Sequence, residues 1–107
     1  VNLYIGSTVA TANKSSLQVL HGKPFALKWD NPDGYDCTST APSQWSQWNA
    51  TKYDLFQSSN TGTDLTTTPT TPNATYTFSL SCEDYGGDPL PVQTVQLKVV
   101  SSIEIEI

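Results

Sequence analysis

The chain has 107 residues, with ten carboxylates against five lysines, no arginine, one histidine (His21) and a formal net charge of −5. That length fits one domain with a single workable core. The acidic balance and the lack of arginine argue against nucleic-acid binding and against docking on anionic membranes, and no apolar run approaches the ~20 residues that cross a bilayer.

In chain order, residues 1–9 offer a first strand with Leu3 and Ile5 on one face. A polar connection over 11–16 leads to a short second piece at 17–20. His21-Gly22-Lys23-Pro24 turns the chain into 25–30, where Phe25, Leu27 and Trp29 alternate with Ala26, Lys28 and Asp30. Alternation with period two marks a strand with one face inside. Asn31-Pro32-Asp33-Gly34 has turn chemistry, because Pro presets its own φ and Gly tolerates φ > 0. A short strand is expected at 35–39. The stretch 41–60 is the hardest to read, with Trp45, Trp48, Tyr53, Leu55 and Phe56 among polar residues; one strand plus loops is the expectation.

An edge strand is expected at 64–68, running into a Thr/Pro-rich extended corner at 66–72, since proline cannot donate to a ladder. Residues 75–82 form a clear strand, with Tyr76, Phe78, Leu80 and Cys82 on one face. Tyr85-Gly86-Gly87-Asp88-Pro89 is a turn, and 94–100 is the last strand, carrying Val95, Leu97 and Val99 inward. No segment shows sustained helical periodicity. Short strands separated by turn signals predict an all-β sandwich. The two cysteines, Cys37 and Cys82, sit in such strands. Their even number points to a disulfide and an oxidising compartment, with two buried thiols as the alternative.

The spacing of the strands resembles bacterial immunoglobulin-like domains, which recur in secreted and cell-surface proteins. Val19-Leu20-His21-Gly22-Lys23-Pro24-Phe25-Ala26-Leu27-Lys28-Trp29 is similar to their "V-x-x-G-x-x-V-x-L-x-W" opening, and Cys37 stands eight residues after Trp29. Phe78-Ser79-Leu80-Ser81-Cys82, Gly86-Gly87 and Val95-Gln96-Leu97-Lys98-Val99 match their closing strands and turn. Phe78 stands where an aromatic hydroxyl is usual, the middle region is longer, and Trp29 precedes both cysteines, unlike the antibody arrangement.

The resemblance implies an immunoglobulin-like Greek-key sandwich of about seven strands over 1–102, followed by a C-terminal strand extension or linker at 103–107. In such a sandwich the third strand (C) and the sixth (F) are antiparallel neighbours, so Cys37 and Cys82 would meet at one end of the molecule. The start at Val1 rather than Met suggests a mature or excised fragment of something longer.

No catalytic constellation stands out. His21 precedes a turn glycine, as a solvated loop residue would, and no nucleophile motif accompanies it. The expectation is therefore a non-enzyme without an obligatory cofactor. Three groups remain as binding candidates. Trp45, Trp48 and Tyr53, with Gln44, Gln47 and Asn49 nearby, would suit a carbohydrate-binding module if their faces were exposed; one tryptophan in the core and one partly exposed is the expectation. Asp30, Asp33, Asp36, Glu83, Asp84 and Asp88 should converge at the disulfide end. Asp30-Asn31-Pro32-Asp33-Gly34-Tyr35-Asp36 loosely resembles a calcium loop without a distal bidentate Glu, so Ca²⁺ is the cofactor such a cluster would take, and a solvated acidic rim is the alternative. The alternating tail Ser101-Ser102-Ile103-Glu104-Ile105-Glu106-Ile107 is expected to prolong the last strand or to pair with a neighbouring domain or subunit by strand addition, with a disordered terminus as the alternative. Asn13, Asn49 and Asn73 each head an N-x-Ser/Thr triplet and carry no weight in an Asn/Thr/Ser-rich chain.

The reading that follows is a non-catalytic immunoglobulin-like module of an extracellular or cell-surface protein, acting as spacer, adhesion or protein-interaction domain, with glycan binding as its rival.

Overall fold

In the computed structural model, the described residues are 2–31, 33, 35–45, 48, 57–67 and 73–101, with side chains of 57–62 and 64 outside the description. Among the described residues seven strands form: β1 (Asn2–Gly6), β2 (Ser16–Leu20), β3 (Pro24–Asn31), β4 (Asp36–Thr40), β5 (Gln57–Thr66), β6 (Ala74–Glu83) and β7 (Gln93–Val100). A 3₁₀ turn covers Ser43–Trp45. The strands lie in two sheets, β1-β3-β5 and β2-β7-β6-β4, all pairs antiparallel except β2 with β7.

The period-two pattern drives this arrangement. On the first sheet Leu3, Ile5, Phe25, Leu27, Trp29 and Leu65 turn inward; on the second Phe78, Leu80, Val95, Leu97 and Val99 do, and all are buried in one core. Cys37 and Cys82 join that core from the inner face of β4 and β6 and are bonded to each other. They are directly opposite in the β4–β6 register, with Cα atoms 4.0 Å apart. The expected disulfide is therefore present, and it clamps two neighbours within one sheet.

The strands expected at 25–30, 35–39, 75–82 and 94–100 appear within a residue or two. The edge strand expected at 64–68 is longer and earlier. β5 begins at Gln57, pairs with β3 from Asn31↔Gln57 to Pro24↔Thr66, and shows a register shift between Trp29 and Asn31. Its sequence, QSSNTGTDLT, offers only Leu65 as an apolar inward residue. Backbone pairing to the strongly apolar β3, not its own side chains, accounts for the strand, as at many edges. Only the first residues of the corner expected at 66–72 are described, and the tail expectation for 103–107 falls outside the described residues.

Turns follow their glycines. Gly22 has φ 89° beside the Lys23 N–H to Leu20 carbonyl bond of 3.0 Å, and Gly87 has φ 83° with its N–H on the Asp84 carbonyl at 2.9 Å. Gly6 has a different reason. The 7–13 connection folds back so that Ala12 is buried, and a Cβ added to Gly6 would stand 2.6 Å from the Ala12 Cα. Gly6→Ala is expected to destabilise by about 1–3 kcal/mol through overpacking against backbone. Chemical denaturation measures this; an unchanged midpoint would mean the connection lies elsewhere.

Candidate functional site

Two loops meet at the end of the molecule where β3 and β6 finish. Asn31 is fully buried and organises the first loop: its Nδ2 donates to the Tyr35 carbonyl at 2.7 Å, and the Tyr35 N–H donates to its Oδ1 at 3.0 Å. The second loop folds around Asp84, whose Oδ1 accepts the Gly86 N–H at 2.9 Å and the Asp88 N–H at 3.0 Å. Asp side chains cap turns in this way because they mimic a backbone carbonyl. The Tyr85 hydroxyl donates to the Asp33 carbonyl, and its ring packs edge-on against Tyr35 at 5.0 Å, joining the loops. Tyr85 is nonetheless 78% exposed.

Asn31→Ala removes both loop-closing bonds and should cost about 1–3 kcal/mol, since buried backbone groups lose their partner. Asn31→Asp keeps the acceptor alone. If alanine unfolds no earlier than wild type in urea, the loop is held by other contacts.

The six carboxylates of the candidate cluster do not surround one point. Asp30 lies on the first sheet and accepts from the Asn2 backbone N–H at 3.0 Å and side-chain amide at 3.1 Å. Asp84 is engaged with its own loop; Asp33 and Asp88 are exposed. Only Asp36 and Glu83 face each other directly, on paired positions of β4 and β6. Among the described residues no three His, Cys, Asp or Glu side chains come together to hold a metal ion.

Beside the clamped rung lies an open cleft of about 310 Å³, lined by Asp36, Cys37, Thr38, Ser81, Cys82, Glu83 and Pro89. His21 stands at the opposite end, its N–H on the Val100 carbonyl at 2.8 Å, away from these carboxylates.

The aromatic platform requires a correction. Trp45 and Trp48 are 1% and 2% exposed, so both are core residues rather than one inside and one partly outside. Trp45 packs against Phe25, Tyr76 and Phe78 with centroids 5.0–5.6 Å away and donates its indole N–H to the Thr66 carbonyl at 2.9 Å. Trp48 lies against Trp29 and Phe78 at 6.2 and 6.0 Å, while its carbonyl accepts from the Ser39 hydroxyl. A ring enclosed this way has no free face for a sugar. Tyr53 falls outside the described residues.

Sequence reasoning missed Asn31, Tyr35 and Tyr85 as organisers of this end. The tyrosine beside Gly86-Gly87 was the available signal, because a large aromatic at a turn tip needs a partner or stays exposed. Among the described residues no helix is long and apolar enough to cross a membrane. Compared with protein-family models, curated proteins and solved structures, the chain gives no match.

Proposed function

We propose that the chain is a non-catalytic immunoglobulin-like module of an extracellular or cell-surface protein, serving as spacer, adhesion or protein-interaction domain. The observation that carries this reading is the strand order. A C–F–G-like trio, β4-β6-β7 with β6 in the middle, faces a second sheet built around β3, as in immunoglobulin-like sandwiches. A disulfide within that trio suits an oxidising compartment. The large aromatics Phe25, Trp29, Trp45, Trp48 and Phe78 are spent on the core, which favours a scaffold over a deep substrate pocket. Partners would be neighbouring domains or other subunits, with strand addition through 103–107 as one route, a segment outside the described residues.

The test is an activity panel of ester, glycoside, peptide and phosphate substrates with the oxidised chain. No turnover above a heat-unfolded sample is expected. Saturable turnover that disappears on unfolding would overturn the non-catalytic reading.

A further inference from the structure

One pair of strands departs from the rest of the sandwich. β2 and β7 run parallel over five rungs, from Ser16↔Gln96 to Leu20↔Val100, and every other described pair is antiparallel. Bonds just outside β2 extend the ladder at both ends. The Gln96 N–H donates to the Ser15 carbonyl at 2.9 Å, and the His21 N–H donates to the Val100 carbonyl at 2.8 Å. On the inner side Leu17 lies opposite Leu97 and Val19 opposite Val99, and all four pack into the core.

The registers also fix where the chain enters and leaves the sandwich. Asn2 lies opposite Asp30, at the end where β3 finishes and Asp36 pairs with Glu83 beside the disulfide. Val100 lies beside Leu20 and His21, at the opposite end. A pull applied through both ends of the chain therefore runs along the strand axes. It draws β2 toward the disulfide end and β7 the other way.

Direction decides how a ladder resists such a pull. Its hydrogen bonds cross between the strands, evenly spaced and slanted in a parallel pair. Parallel neighbours pulled from opposite ends load all their rungs in shear, and the rungs must yield together. Strands pulled apart from the same end open one rung at a time. β2 takes the load at its first residue and β7 passes it on at its last, which is the shear case. β1 comes earlier in the chain, but its release only straightens the 7–15 connection and hands the load to β2. The disulfide lies outside this ladder: it joins β4 to β6 across 45 residues, and while it is intact that loop cannot lengthen.

We propose that the chain bears tension between partners attached at its two ends, with the parallel β2–β7 ladder as the latch and Cys37–Cys82 as the stop that limits extension. The proposal rests on the spacer form of the module reading and gives that spacer a mechanical task. Its failure leaves the module reading to its own activity test.

The experiment is single-molecule force spectroscopy on the oxidised full chain. Rupture force reads the barrier to unfolding rather than net stability. In one arm the handles are attached at residues 1 and 107. In the other they are attached at residue 107 and at an azide-bearing residue replacing Lys23, an exposed position between β2 and β3. The second arm pulls β2 and β7 from the same end. At one loading rate the force between the termini is expected to be at least about twofold higher, because the rungs share the load.

Two proline variants locate the latch. Alternate residues direct their backbone to the same neighbour, so Val19 faces β7 as Ser15 and His21 do, and Tyr4 faces β3 because Ile5 bonds Lys14. Val19→Pro, which deletes an N–H of the ladder, should bring the terminal force down to the peeling value. Tyr4→Pro should leave it unchanged. Thermal melts confirm that each variant folds; if one does not, the two pulling geometries decide. Reduction should lengthen the unfolding step by about 150 Å, the reach of 45 extended residues. Equal forces in the two geometries, or a terminal force lowered by Tyr4→Pro and not by Val19→Pro, would overturn the latch. A step of the same length with and without reductant would overturn the stop.

Discussion

Removing the disulfide by Cys37→Ala with Cys82→Ala is expected to lower the melting temperature by roughly 15 °C or more. The two cysteines are 45 residues apart, so the bond closes a loop that includes β4, β5 and most of β6. On the chain-entropy account, a loop of that length contributes about 4 kcal/mol by restricting the unfolded chain. A domain of this size has only about 5–15 kcal/mol of net stability, so the loss is a large part of the total. The cavity left by two core thiols adds to the effect, because both residues are buried against the β6 and β4 neighbours. Thermal unfolding followed by far-ultraviolet circular dichroism measures it. A shift below about 3 °C would mean that the unfolded chain is already restricted across this loop.

Trp45→Ala is the second large effect, with an expected cost of about 3–5 kcal/mol. The ring is 1% exposed and sits among Phe25, Tyr76 and Phe78, which bring aromatics from both sheets to one point. Its removal leaves a cavity that rigid neighbouring strands cannot fill, and it also deletes the indole hydrogen bond to the Thr66 carbonyl. Trp45→Phe separates these contributions: it retains most of the apolar contact and loses the hydrogen bond, for about 1–2 kcal/mol. Urea denaturation gives both numbers. Were Trp45 an exposed sugar platform, alanine would leave the unfolding midpoint unchanged.

Much of the architecture was legible because it depends on period-two apolar patterning. Phe25, Leu27 and Trp29, then Phe78, Leu80 and Cys82, then Val95, Leu97 and Val99 each announce an inward face, and all are buried. The disulfide was legible too, since paired strands bring opposite residues within bonding distance. β5 was only partly so: its pairing comes from β3, and residues such as Gln57 and Ser58 carry no strand signal of their own. The fate of the tryptophans was harder still. A Trp surrounded by Ser, Gln and Asn reads as platform or plug, and tertiary packing against Phe25 and Phe78 decides. Side-chain engagement at the acidic end was not in the pattern. Asp30 turns to Asn2 and Asp84 to its own loop amides, which leaves Asp36 and Glu83 as the facing pair.

The strand order is the central claim, because the immunoglobulin-like reading depends on it. A nuclear Overhauser experiment on the isotope-labelled, oxidised chain tests it most directly. The account predicts a parallel ladder of cross-strand contacts stepping from Leu17–Leu97 to Val19–Val99, together with antiparallel contacts across Leu27–Ile5 and Ser39–Leu80. An antiparallel β2–β7 ladder, or β4 paired with β3 in place of β6, would contradict it.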